Sequence, residues 1–383
     1  MRVGVNLVPQ NYSDWDRHER GDWNVPPSVP DWKIYEDEIA FASLLEPLGF
    51  QSLWTVEHHF TPYIMSTDPL QFLTFFAGRT EEMDFGTQVV VLPWHDPIRV
   101  AEGIAMLDNL LRDRKLYVGL GRGTAKLEFD GFRVPRAESR ARFAECLQVL
   151  RTALSEPHFS HQGTYYQIPP IGVRPTLRDR SVLDRFYMSW GSPESVPIAA
   201  ASGLKPLIVP QKDWSRHQAE IEQFNGLRVQ DGMEPARPII MLAVYCAATE
   251  EQAEAGQGYI DEWANGATRH YQFETDVQFG SVEGYEYRAH NVEIIQNMTP
   301  QELAAFRRKN APGHVRGTPS QVFEQLNDKI QAVGAEELTV TMKFGTMPLE
   351  LAEKSVRLFA REVLPALKAL PVAEPRVSLA NAG

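Results

Sequence analysis

Eight short apolar runs, each paired with a stretch of helical period, set the strongest limit on how this chain can fold. RVGVNLV (Arg2–Val8) reads as a strand and IYEDEIAFASLLEPL (Ile34–Leu48) as an amphipathic helix. QSLWTV (Gln51–Val56) is the second strand; the helix DPLQFLTFFAGR follows, with Asp68 able to cap it and Pro69 suited to its first turn. MDFGTQVVVLP and KLYVGLG are the third and fourth strands, with helices at Pro97–Leu111 and Glu138–Leu154. RFYMSW is the fifth, with a short helix at Ser192–Ser202 capped by Ser192. PLIVP, PIIMLAVYCA and ELTVTMKF (Glu337–Phe344) complete the set, with helices at WSRHQAEIEQFNGL, at GTPSQVFEQL and before Leu370. Strands this apolar need cover on both faces, which packed side chains inside and helices outside supply. The expected fold is therefore α/β, a (β/α)8 TIM-type barrel. An open doubly wound sheet satisfies the same periodicity.

The rhythm breaks twice, so long insertions are expected after strands 1 and 7. One is the polar, Pro- and Trp-rich stretch from Pro9 to Trp32; the other runs from about Gly256 to Gly317. Both follow strand carboxyl ends, where barrel enzymes carry their active sites. Residues 1–370 are read as a single domain and PVAEPRVSLANAG (371–383) as a flexible tail.

Three motifs fall at strand ends. WTVEHHF puts Glu57, His58 and His59 where strand two stops. If the chain stays extended, Val56 and His58 share one side and Glu57 and His59 the other, so one imidazole faces the barrel mouth. At least one of the two is then a structural residue, and Glu57 is placed to accept a proton from His59. A metal shared by adjacent histidines is disfavoured by the same alternation, and neither HExxH nor HxH is present. No metal is expected. GLGRGT (Gly119–Thr124) has Thr124 where a dinucleotide fingerprint needs its third glycine. It reads either as a plain turn or as a glycine-flanked Arg122 that lets backbone and guanidinium approach an anion. WGSPES brings Ser192 and Ser195 to a helix N-terminus; capping uses one serine, and the pair together suits a phosphate.

Composition narrows the partners. A formal net charge of −12 over 383 residues, with no basic stripe, disfavours nucleic acid and anionic membrane. The two cysteines, Cys146 and Cys246, lie far apart and begin no metal spacing, which fits a reducing cytoplasm. No run of eighteen apolar residues spans a membrane, and no signal peptide is read at the start.

In this order, WTVEHHF, GTQVVVLPWHDPIRVAEGIAMLDNL, YVGLGRG and YMSWGSPESVPIAAASGLKPLI resemble the bacterial luciferase-like flavin-dependent monooxygenases, and GTPSQVFEQL resembles that family's closing segment. The resemblance implies a (β/α)8 barrel that takes reduced FMN from a separate flavin reductase. O2 would add at the flavin C4a, and the resulting (hydro)peroxide would oxygenate a small organic substrate. His58 resembles the family's histidine beside the flavin ring, with Glu57 and His59 as its neighbours at the catalytic site. Arg122, Ser192 and Ser195 resemble the phosphate-binding set. Gln88–Val89 falls where the family has a non-prolyl cis peptide under the isoalloxazine. Gly121 stands where luciferase has a cysteine by the flavin, and Gly191 where it has a carboxylate near the phosphate. Trp15, Trp23, Trp32 and Tyr285, on the long loops, are candidates for an apolar cover. A homodimer is expected. A deazaflavin-dependent hydride-transfer enzyme of the same superfamily, or a flavin-binding protein without catalysis, would share these residues.

Overall fold

In the computed structural model the described residues are 1–272, 298–299, 302 and 313–378. Their strands in chain order are β1 (Arg2–Leu7), β2 (Ser52–Thr55), β3 (Asp84–Val91), β4 (Leu116–Gly121), β5 (Phe159–Gln162), β6 (Gln167–Ile171), β7 (Phe186–Ser189), β8 (Lys205–Ile208), β9 (Ile239–Cys246), β10 (His314–Gly317) and β11 (Glu337–Thr341). The first helices are α1 (Trp15–Arg20), α2 (Asp31–Ala42), α3 (Pro69–Ala77), α4 (Pro97–Leu111), α5 (Lys126–Phe132) and α6 (Ser139–Ser155). They continue as α7 (Ser195–Ala201), α8 (Trp214–Gln230), α9 (Glu250–Ala255), α10 (Gln257–Tyr271), α11 (Pro319–Val333), α12 (Leu349–Glu362) and α13 (Leu364–Ala369).

Eight of the strands run parallel in the order β1-β2-β3-β4-β7-β8-β9-β11, and β11 pairs back onto β1 with Arg2 opposite Glu337. The sheet is a closed barrel ringed by helices, as the apolar runs require. Trp54, Tyr117, Tyr187, Leu207 and Ile239, one each from five strands, fill its interior as a layer of their own. Gly86 on β3 leaves the room that the Trp54 indole occupies, since a Cβ there would enter the ring. Below this layer the buried Glu337 carboxylate takes hydrogen bonds from Arg2 Nε at 2.9 Å and Trp54 Nε1 at 3.1 Å, and from Ser52. A buried charge needs such partners.

Local signals in the sequence hold where a cap fixes a helix start. Asp68 accepts from Gln71 N–H, and Asp96 from Ile98 and Arg99 N–H, each ahead of a proline in the first turn. Elsewhere the structure corrects the sequence reading. The helix expected at Ile34–Leu48 spans Asp31–Ala42, and the one expected at Ser192–Ser202 begins at Ser195 with Glu194, not Ser192, at its N-cap. The first insertion is not a plain loop: it carries a 3-10 turn at Tyr12–Asp14 and then α1, whose Trp15 is buried in the core. Its polar composition hid a helix that tertiary burial stabilises. The second insertion opens, just after α9, as α10 and closes as β10, which pairs with Ala243–Cys246 of β9. A β5–β6 antiparallel hairpin follows α6 unannounced, and α5 follows β4. Of the expected tail, residues 371–378 carry no regular element but are tied to the barrel, with Asn225 Nδ2 donating to Arg376 O at 2.8 Å and Arg237 Nε to Ala373 O at 2.7 Å. Among the described residues no helix is long and apolar enough to cross a membrane.

Candidate active site

At the carboxyl ends of the barrel strands lies a cleft with 1070 Å³ of empty space, its open mouth included. Six of the eight barrel strands contribute to it: Val56–His58 after β2, Gln88, Val89 and Val91 on β3, Gly121–Thr124 at and after β4, Met188–Gly191 at and after β7, Val209 and Gln211 after β8 and Met241 on β9.

The Glu57-His58-His59 stretch lies beyond β2, in irregular chain; the two imidazoles part as expected, but Glu57 joins Val56 and His58 on the cleft wall, so the strict alternation of an extended strand is not kept. His58 lines the cleft with its side chain 13% exposed. His59 turns away into a nest of rings, 4.6 Å from Phe132 and 5.5 Å from Trp94, and is absent from the cleft wall. Its Nε2 lies 3.0 Å from Glu57 Oε1, the pairing read from the sequence. Glu57 also meets His95 Nε2 at 2.7 Å and accepts from Val91 N–H at 2.7 Å. Burial alone would raise the Glu57 pKa; the His95 charge and these hydrogen bonds hold it below the usual carboxylate range. His95, also penalised by burial, is held above its ordinary value by Glu57.

A second carboxylate organises His58. Glu128, on α5 and fully buried, places Oε1 3.1 Å from His58 Nδ1, 2.9 Å from the backbone N–H of His59 and 3.2 Å from His270 Nε2. Burial opposes its ionisation, yet the two imidazoles beside it, His58 foremost, hold its pKa at about 2. The other ring nitrogen of His58, Nε2, lies 3.2 Å from the Tyr271 hydroxyl on α10. His58, Glu128 and His270 each bring one ligand-type atom within 4.8 Å of the others, a grouping that the metal-free sequence reading did not contain. Glu128 stands between the two imidazoles at ion-pair distances, 3.1 Å from His58 and 3.2 Å from His270.

Arg122 and Ser195 both line the cleft, one just past β4 and the other at the start of α7. Ser192 is buried behind Ser195, the two Oγ atoms 2.8 Å apart. The Gln88–Val89 peptide is cis, and the Gln88 side chain is anchored by its Nε2 to Thr339 Oγ1 at 3.0 Å. Gly121 abuts Val89 so closely that a Cβ would overlap its Cγ2. The expected aromatic cover is placed differently. Trp15 is in the core, Trp23 and Trp32 are exposed at 64% and 62%, and Tyr285 lies outside the described residues. Trp94, Trp190 and Trp263 line the cleft instead.

Glu128, His95, His270 and Tyr271 were missed in the sequence reading. Glu128 sits in KLEFDGF, where the spacing suggests only a surface turn of helix, and it meets His58 across 70 positions. His270 and Tyr271 lay inside the presumed insertion. The adjacent aromatic and imidazole at the end of a helical period was the available signal.

The chain matches the sequence profile of the luciferase-like monooxygenases over residues 1–337. It is 25% identical over 328 residues to the alkanal monooxygenase alpha chain of Aliivibrio fischeri, covering 85% of this chain and 91% of that one. Its fold is similar to that of monooxygenase RslO1 from Streptomyces bottropensis, with a TM-score of 0.76 and 24% identity over 96% of this chain and 100% of that one. The oxygenating constituent of 3,6-diketocamphane monooxygenase from Pseudomonas putida, a type II Baeyer–Villiger monooxygenase solved in complex with FMN, superposes with a TM-score of 0.68 at 18% identity, covering 97% of this chain and 100% of that one. With its closed barrel and a profile match across most of its length, this chain belongs to the luciferase-like monooxygenase family.

Proposed function

We propose that the protein is a monooxygenase that binds reduced FMN, delivered by a separate flavin reductase, and uses it with O2 to oxygenate a small apolar organic substrate. The observation that carries this reading is the sorting of chemistry around one cleft. Neighbouring strands β4 and β7 lead into Arg122 and Ser195, a cation and a hydroxyl suited to a phosphate, while β2 and β3 lead into His58 and the Gln88–Val89 peptide. Val56, Ile64, Val89 and Met241 add the apolar surface that a flat heteroaromatic ring needs. These residues fit a flavin mononucleotide.

When bound, the reduced flavin supplies the electrons that activate O2. The residues of this chain bind, orient, exclude water and move a proton. Arg122 and the Ser192–Ser195 pair hold the phosphate and so fix the ring's depth in the barrel. Trp94, Trp190 and Trp263 keep water from the reacting face. His58, whose orientation Glu128 sets through Nδ1, exchanges protons with the reactants. His59 and Glu57 hold the loop that carries it.

The relatives support the reading: one is an alkanal monooxygenase, and one structural neighbour is an oxygenating component with FMN. Phe75, Met106 and Leu110, 43–50% exposed on the adjacent helices α3 and α4, support a homodimer through that face. Both cysteines are buried and free, in keeping with a cytoplasmic setting.

Anaerobic titration with reduced FMN and, separately, with a reduced deazaflavin tests the choice of cofactor. A substrate screen under 18O2 with a coupled reductase then tests the reaction. Binding of reduced FMN followed by products carrying one labelled oxygen is expected. Binding of deazaflavin alone, with substrate oxidation independent of O2, would replace this reading with a hydride-transfer enzyme.

A further inference from the structure

The cleft wall beside His58 carries a phenol that the proposed function does not use. Tyr271, the last residue of α10, lines the cleft and brings its hydroxyl 3.2 Å from His58 Nε2. The opposite ring nitrogen, Nδ1, meets Glu128 Oε1 at 3.1 Å. An ionised carboxylate can only accept, so Nδ1 bears the proton; the neutral ring then offers Nε2 as an acceptor, and the Tyr271 O–H donates. The order of groups from core to cleft is carboxylate, imidazole, phenol.

The phenol is held in place from several sides. Its ring meets His58 edge-on at 5.5 Å and His270 at 5.0 Å. His270, fully buried one residue earlier, is fixed by Thr61 Oγ1 at 2.8 Å from Nδ1, with Nε2 3.2 Å from the same Glu128 oxygen. Tyr63 stacks on the His270 ring at 4.8 Å. The last turn of α10 is thus fastened to the carboxylate that orients His58, and the hydroxyl of Tyr271 is preorganised against Nε2.

We propose that Tyr271 is the group through which His58 takes protons from reactants in the cleft. As a bound reactant loses a proton to the Tyr271 oxygen, the phenolic proton passes to His58 Nε2. One bond to hydrogen breaks on the reactant, the tyrosine O–H is broken and remade, and one N–H bond forms. The reactant is left with the electron pair, and the imidazolium is held by the Glu128 carboxylate. No electrons are transferred in this step.

The inference rests on the reading of His58 as the acid–base group, and its test separates the two. In the cofactor-free protein with 15N-labelled histidine, His58 should appear as the Nδ1–H tautomer with a hydrogen-bonded, unprotonated Nε2. Tyr271→Phe should move the Nε2 resonance toward that of a free acceptor. An Nε2–H tautomer in the unaltered protein, or a resonance indifferent to Tyr271→Phe, would overturn the relay without any need for the variant to be active. In stopped-flow reaction of bound reduced FMN with O2, Tyr271→Phe should change the reoxidation rate at least tenfold, with reduced-FMN affinity within twofold of the unaltered protein. An unchanged rate in Tyr271→Phe beside an altered rate in His58→Ala overturns the relay alone; unchanged rates in both overturn the role of His58 as well.

Discussion

Val89 Cγ2 fills the space that any side chain on Gly121 would require, so β3 and β4 approach at the cleft floor to a distance only glycine permits. The contact joins two residues that the sequence singled out for separate reasons. Gly121→Ala is expected to push Val89 toward the cleft, lowering stability by about 1–3 kcal/mol, the usual cost of overpacking. Denaturant unfolding and reduced-FMN titration of the same variant check this. A variant with unaltered stability and affinity would show that the two strands yield without consequence.

His58→Ala is expected to keep the fold and the affinity for reduced flavin while losing product formation by on the order of 10²–10⁴-fold, the range of a general acid or base. His59→Ala removes a buried partner of Glu57 and should lower the melting temperature while sparing turnover per folded molecule. Steady-state rates normalised to the folded fraction distinguish the two, and a His58→Ala enzyme as fast as the unaltered one would remove His58 from the chemistry.

Arg122→Ala should weaken reduced-FMN binding by about 1.5–3 kcal/mol, roughly tenfold to over a hundredfold, through loss of a charge-assisted partner. Ser195→Ala should cost about 0.5–1.5 kcal/mol, one neutral hydrogen bond. Ser192→Ala should cost about as much, because Ser192 acts through the 2.8 Å contact with Ser195. Anaerobic titration with riboflavin beside FMN gives the control: the Arg122 deficit should vanish for the ligand without a phosphate.

The Glu57–His95 pair sets a pH window for stability. Glu57 is held below its ordinary value of 4.5, so its contribution is full above about that pH and is lost as pH falls through the folded value. His95 is raised above 6.5, so its contribution is full below that pH and is lost as pH rises through the folded value. Stabilisation by the pair is therefore complete between these two limits. His95→Gln should unfold more readily than the unaltered protein in that window and converge with it at alkaline pH. Chemical unfolding at pH 5.5 and pH 9 provides the comparison; an equal deficit at both would assign the effect to packing instead.

The sequence by itself determined eight strands alternating with helices, because apolar runs separated by helical periods must be buried on both faces, whereas closure into a barrel rather than an open doubly wound sheet was decided by the pairing of β11 with β1. It also determined which residues stand at the strand ends, since strand boundaries follow local composition: His58, Gln88, Val89, Arg122 and Ser195 all reach the cleft. The pairing of His59 with Glu57 was legible for the same reason, as it spans two positions. Tertiary structure alone decided what surrounds His58. Glu128 lies 70 positions away and Tyr271 213, on helices whose own periodicity says nothing of the partner they meet. The first insertion was likewise misread, because Trp15 becomes a core residue only where the barrel offers it a surface. Local propensity fixes what is close along the chain, whereas a buried carboxylate acquires its partners only when the barrel closes and desolvation makes an unpaired charge costly.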